Sequence, residues 1–112
     1  MVHAVQTVGE ILRRIDQVDG GRNALYLDCK HDIYVEGSRC AILDPEESSD
    51  PGVIDPDFAV NNSLRFGLFV NDVKGIVRNA NQQIKNPTIS DLIDALNYYL
   101  KFDAFIRFSQ KR

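Results

Sequence analysis

The stretch ALYLDCKHDIYVEGSRCAILD, residues 24–44, decides the fold that the sequence predicts. It contains three short runs of apolar and aromatic residues separated by polar residues, which is the pattern of β-strands joined by short connections. We therefore predict strands over residues 24–28, 32–36 and 39–44, with Gly37–Ser38 as a tight turn between the last two.

Helices are predicted outside this stretch, where apolar residues recur at helical spacing. Residues 4–18 form the first, and Thr7 with Glu10 is a capping-box pattern that would move its start to residue 8. Thr88 with Asp91 marks the start of the last helix. The remaining predicted elements are a helical turn at 58–62, a strand at 64–70, a helix at 72–84 and a final strand at 104–108.

These elements predict an α+β fold in two layers, with a largely antiparallel sheet of four to five strands and about three helices packed on it. At 112 residues the chain is one domain, 1–112, with a frayed tail at 109–112. Gly67 inside a predicted strand indicates a bulge or a close backbone approach. The aromatic residues near the C-terminus are predicted to lie in the core. They are Tyr98, Tyr99, Phe102, Phe105 and Phe108.

Composition restricts the function classes. The formal net charge is −3, from 16 acidic and 13 basic residues, which argues against direct nucleic-acid binding because such proteins need a basic face. No apolar run approaches the ~20 residues of a membrane span, and no signal peptide is recognisable. We therefore predict a cytoplasmic protein without membrane contact. Cys29 and Cys40 are predicted to be unpaired apolar fillers in or beside strands.

The most unusual feature is the segment DPEESSDPGVIDPD, residues 44–57, which we call the acidic segment. It holds six carboxylates and three of the four prolines of the chain, with no lysine or arginine. Because proline removes backbone donors, residues 45–57 are predicted to form a loop. Such a loop either keeps the protein soluble or serves as a docking surface, whose negative potential would steer a basic partner.

On the docking interpretation, the predicted partner-binding residues are the acids of this segment, the neighbouring acids before it and one apolar anchor. They are Asp32, Glu36, Asp44, Glu46, Glu47, Asp50, Asp55, Asp57 and Phe58. The natural partner for such a surface is a basic protein such as a nuclease, whose groove is built to hold phosphates.

Catalytic and metal chemistry have little support. Cys29 and His31 are two residues apart, but no third group orients them. The acidic segment lacks the late glutamate of a calcium loop, and prolines interrupt its turn. The two histidines have no zinc-ligand spacing. We therefore predict no catalytic residues, no metal and no cofactor.

Two segments, VGEILRRID…ALYLD and TISDLIDALNYYLKFDAFIRF, resemble a family of small bacterial proteins that carry an acidic, proline-containing stretch after a strand end such as AILDP. The pattern is similar to immunity proteins of contact-dependent growth inhibition and other polymorphic toxin systems. The resemblance implies an inhibitor that binds a cognate toxin domain and carries over no catalytic residue. Two alternatives stay open: a non-enzymatic adaptor for another basic protein, and a small enzyme that uses Cys29 and His31.

Overall fold

The structure is a computed structural model that describes residues 3–46 and 56–108. A short 3₁₀ turn, Ile15–Gln17, follows the first helix. The elements are β1 (Gln6–Thr7), α1 (Val8–Arg13), β2 (Ala24–Asp28), β3 (Arg39–Leu43), α2 (Asp57–Asn61), β4 (Leu64–Phe69), α3 (Val70–Gln83) and α4 (Ile89–Phe102).

The four strands form one antiparallel sheet in the order β1-β3-β2-β4. The α+β class and the largely antiparallel sheet are thus confirmed, and the described residues contain four helices rather than three. The pairing of β2 with β4 skips Gly67, since Leu25 lies opposite Leu68 while Tyr26 lies opposite Phe66. The bulge that the sequence indicated at Gly67 is therefore confirmed.

The main core lies between one face of the sheet and α1, α3 and α4. Leu25 and Leu27 from β2 and Cys40 from β3 belong to it, as the two-residue period of a strand requires. The intervening residues, such as Tyr26 and Ala41, form a smaller cluster that includes Ala59 of α2. The short helix α2 therefore covers part of the opposite face of the sheet.

Side-chain caps fix the starts of two helices. The Thr7 hydroxyl accepts a hydrogen bond from the Glu10 N–H, and α1 begins at residue 8, as the capping pattern predicted. Thr88 and Asp91 form a complete capping box at the start of α4. The predicted extent 4–18 of the first helix is wrong, because residues 6–7 pair as β1 and the α-helix ends at residue 13.

The helix predicted at 72–84 is α3, which begins two residues earlier, directly after β4, with no connecting loop. The Val70 N–H donates to the Asn23 carbonyl oxygen at 2.9 Å, which satisfies one of the open donors at its start. The helical turn predicted at 58–62 is α2, which begins at Asp57. The residues 47–55 of the predicted loop and the tail 109–112 lie outside the described residues.

Two predicted strands are wrong. Residues 32–36 and 104–108 belong to no strand. In both segments a side-chain amide from a helix takes the backbone groups that a strand partner would have taken: Asn97 bonds Tyr34, and Gln83 bonds the Ile106 carbonyl oxygen and the Phe108 N–H. Both amides occur far from these segments in the sequence.

Candidate docking surfaces

The first two acids of the acidic segment are already paired within the domain. Arg22, which lies just before β2, contacts Asp44 at 3.0 Å and also Glu46. The two strand ends bring them together, because Ala24 at the start of β2 lies opposite Leu43 at the end of β3. The side chains of Arg22 and Glu46 are 70% and 68% exposed, whereas that of Asp44 is 16% exposed.

Asp32 and Glu36 are also paired, with different arginines. Asp32 contacts Arg65 of β4 at 3.3 Å, and Glu36 contacts Arg13 at the end of α1. Both carboxylates lie in the connection between β2 and β3, which the structure leaves without regular secondary structure.

The structure places these two acidic pairs at opposite ends of β3. Asp32 and Glu36 precede its first residue, Arg39, while Asp44 and Glu46 follow its last residue, Leu43. Five strand residues separate the two ends by roughly 15 Å, at about 3.4 Å per residue. The residues that the sequence grouped as neighbours are thus two surfaces rather than one.

The other predicted docking residues differ in how exposed they are. Asp57 is exposed in the first turn of α2. Phe58 is half-buried against the smaller cluster, with the His3 ring 5.5 Å from its own, so the expected apolar anchor is largely a packing residue. Glu47, Asp50 and Asp55 lie outside the described residues.

An open cleft of about 820 Å³ lies between β4, α4 and residues 32–34. Tyr34 forms one wall of it. Its backbone N–H donates to the Asn97 side-chain oxygen at 2.8 Å, and its carbonyl oxygen accepts from the Asn97 amide nitrogen at 2.8 Å. This pair of bonds fixes the connection between β2 and β3 against α4 beside the cleft.

Polar groups beside the cleft satisfy one another. Arg65 donates to the His31 carbonyl oxygen at 3.0 Å and to the Tyr34 hydroxyl at 3.3 Å. The hydrogen bond to Tyr34, followed by the one to Asp32, raises the pKa of Arg65 above its usual value. Arg65 is therefore a permanent cation that supports this wall, and much of its hydrogen-bonding capacity is used by the domain itself.

Asp28, at the end of β2, is the one acidic residue that is buried among the described residues. Its carboxylate accepts a hydrogen bond from the Lys30 N–H at 3.0 Å and lies 3.7 Å from Arg39. The Lys30 hydrogen bond lowers the pKa of Asp28, and the charges of His31, Arg39 and Lys30 act in the same direction against the cost of burial. This carboxylate stabilises the turn after β2.

Exposed aromatic residues form a surface that the sequence did not predict. Phe66 and Phe69 of β4 are 41% and 46% exposed, and their rings lie 5.1 Å apart. The predicted core positions of Phe102 and Phe105 are wrong, since these side chains are 55% and 46% exposed, while Phe108 is buried as expected. The sequence feature that could have predicted the surface at Phe66 and Phe69 is the run LRFGLF. Apolar residues occupy both odd and even positions around its glycine.

Cys29 lies directly after β2, as predicted, but its expected role as an apolar filler is wrong. Cys29 is exposed, whereas Cys40 is buried in the core, and neither forms a disulfide. Residues 3–46 and 56–108 contain no group of three His, Cys, Asp or Glu side chains able to hold a metal ion. The longest helices of the same residues, α3 and α4, have 14 residues each and are not apolar enough or long enough to cross a bilayer.

The fold and its surfaces thus define a small α+β domain with charged and aromatic surfaces beside an open cleft. Residues 5–108 match the family model described as a domain of unknown function, DUF7716, and the chain belongs to that family. No curated protein and no solved structure matches the chain.

Proposed function

We propose that this protein is a bacterial immunity protein, which acts in the cytoplasm by binding and neutralising a cognate toxin domain. The toxin would be basic, and a nuclease is the first candidate because its groove carries the cations that hold phosphates. The resemblance to immunity proteins and the acidic segment support this proposal. The protein would act by occupying the toxin rather than by a reaction of its own.

The observation that carries the proposal is the concentration of carboxylates in the acidic segment. Six carboxylates lie between residues 44 and 57 with no basic residue among them. In the described part of this segment, Arg22 bridges Asp44 and Glu46. The Arg22–Glu46 pair is exposed on both sides, and such pairs contribute about 0–1 kcal/mol. A basic groove could therefore take Glu46 from Arg22 at small cost, whereas Asp44 is more enclosed.

The acidic segment is the stronger candidate for the main contact with the toxin. Asp32 and Glu36 are weaker candidates. They lie at the other end of β3 and are held by Arg65 and Arg13. A partner would reach both surfaces only if its basic groove extended along the full length of β3.

Co-expression with the product of the neighbouring gene, followed by a growth assay and purification of the complex, tests the function. Growth protected by this protein and a stable complex are expected. If the neighbouring product is not toxic, or is toxic but neither bound nor neutralised, the proposal is wrong.

A charge-matched pair of variants tests the surface. Asp44→Asn with Glu46→Gln removes two charges from the acidic segment, while Asp16→Asn with Asp19→Asn removes two exposed charges elsewhere. We expect only the first pair to slow association strongly and to flatten its salt dependence in stopped-flow measurements. Equal effects of both pairs would mean that net charge, not this surface, steers the partner.

A further inference from the structure

The two edges of the sheet differ in how they are protected. At one edge β1 has two residues, and at the other β4 has six. Within residues 3–46 and 56–108, the only strand that pairs with β4 is β2. Among the described residues the other edge of β4 thus has no strand partner, and its N–H and C=O groups form a template for a further strand.

β4 carries two of the usual protective features of an edge strand, the bulge at Gly67 and one charged residue, and lacks the others. It contains no proline and no lysine, and Arg65 is its one charged residue. The bulge at Gly67 places Phe66 and Phe69 on the same face of the sheet, because Phe66 pairs with Tyr26 and Phe69 with Ala24. Two residues three apart would otherwise lie on opposite faces. An open edge with two adjoining exposed aromatic rings is typical of an interface.

We propose that β4 is a dimer interface at which a second copy of this chain pairs with it in antiparallel orientation. A two-fold axis lets each copy satisfy the edge of the other with the same residues. A register that places Phe66 opposite Phe69 of the second copy makes the same aromatic cross-strand contact twice, and such pairs contribute roughly 0.2–1 kcal/mol each.

Charge favours this orientation. Ala24 pairs with both Leu43 and Phe69, so the acidic segment starts at the Phe69 end of the sheet. Each copy of the chain carries a net charge of −3. Antiparallel pairing places the acidic segments of the two copies at opposite ends of the joined sheet. Parallel pairing would bring them together.

The exposed aromatic area covers part of what an interface needs. Phe66 and Phe69 are 41% and 46% exposed. With about 200 Å² for a large side chain, they offer roughly 170 Å² of apolar area per copy. A stable interface buries about 800 Å² per partner, of which about 60% is apolar. The two rings thus supply about a third of the apolar share, and the strand edge supplies hydrogen bonds.

Sedimentation equilibrium of the full chain over a range of concentrations tests the dimer. We expect a species of twice the 12.7 kDa chain mass that dissociates on dilution. Phe66→Arg and Phe69→Arg, made singly, should each weaken the dimer at least tenfold. Val35→Arg, at an exposed apolar residue outside β4, should leave it intact, and circular dichroism checks that each variant is folded.

Hydrogen exchange gives a second measurement that needs no variant. Amides of β4 should exchange more slowly at high protein concentration than at low concentration. A chain that stays monomeric up to millimolar concentration, or a dimer that persists with either arginine substitution in a folded protein, overturns the proposal. The test is independent of toxin binding, because it uses this protein alone.

Discussion

Asn97 and Tyr34 are 63 positions apart in the chain and exchange two hydrogen bonds of 2.8 Å. The side-chain amide of Asn97 bonds both the N–H and the carbonyl oxygen of Tyr34, as a neighbouring strand residue would. Tyr34 is buried, whereas Ile33 and Val35 on either side are exposed. One helical side chain therefore fixes the middle of the connection between β2 and β3, which Arg65 and Arg13 also contact.

Replacing Asn97 with alanine should destabilise the protein substantially. Both backbone groups of Tyr34 lose their partner, and an unsatisfied buried polar group costs about 1–3 kcal/mol. We expect a loss of about 2–4 kcal/mol in the free energy of unfolding, measured by urea denaturation. Asn81→Ala is the matched control, since Asn81 is an exposed residue whose amide nitrogen donates to Val77 in its own helix. Similar losses for both variants would contradict the role assigned to Asn97.

Replacing Gly67 with alanine should destabilise the sheet. A Cβ at this position would lie 2.5 Å from Leu27 Cδ1 and 2.9 Å from the Leu25 carbonyl oxygen. The Leu25 oxygen belongs to the paired strand β2 and cannot move away freely, so a loss of about 1–3 kcal/mol is expected.

Gly37→Ala provides the control, since nothing lies within 4 Å of a Cβ there. It should be neutral or stabilise by up to about 1 kcal/mol, because alanine restricts the unfolded chain. The midpoints of thermal unfolding of the Gly67→Ala and Gly37→Ala variants measure this difference in stability. A Gly67→Ala protein as stable as the wild type would contradict the prediction and show that the bulge adapts.

Asp28 should make stability depend on acidic pH. Its pKa in the folded protein lies below the ordinary value of 3.8, chiefly because the Lys30 N–H donates to its carboxylate. A lowered pKa contributes stability at neutral pH that is lost as the pH falls below about 4 and through the folded pKa.

Asp28→Asn should therefore be less stable than the wild type at neutral pH, and the difference should shrink on acidification. Urea midpoints at about pH 7 and about pH 3 measure it. Asp16→Asn, at an exposed carboxylate, controls for the removal of one negative charge. A difference between wild type and Asp28→Asn that stays constant with pH would refute the assignment.

The two thiols should react very differently. Cys29 is exposed, while burial, with a smaller contribution from Glu10, raises the pKa of Cys40 to about 12. Because the thiolate is the reactive species, a disulfide reagent at neutral pH should label one thiol per folded chain and two after denaturation. Cys29→Ser should abolish labelling of the folded protein and Cys40→Ala should not. Equal labelling rates for the two cysteines would contradict the structure.

Local patterns in the sequence predicted most of the elements. Capping residues such as Thr7 and Thr88 and helical spacing act within a few residues, and both helix starts were confirmed. The segment 32–36 was predicted wrongly because it alternates like a strand, with Tyr34 inside and its neighbours outside. The backbone hydrogen bonds of Tyr34 go to Asn97, and no local pattern identifies so distant a partner.

The candidate surfaces were less predictable than the fold. The sequence located the acidic residues, but not that Arg22, Arg65 and Arg13 pair with four of them. Ion pairs between distant residues depend on strand order, which composition does not contain. Phe102 continues an aromatic run that resembles a core helix end. It is nevertheless exposed, because residues 103–108, which follow α4, form no strand to cover it.

The strand order gives the acidic segment an architectural role. It leaves the sheet at the end of β3 and, through α2, the chain returns as β4 on the far side of β2. A cut in the acidic segment would leave two fragments, one with β1, β2 and β3 and the other with β4, α3 and α4. The β2–β4 pairing and the shared core would still hold the two fragments together. The protein should thus tolerate a break or an insertion at this point, and a split form should reassemble from its two halves.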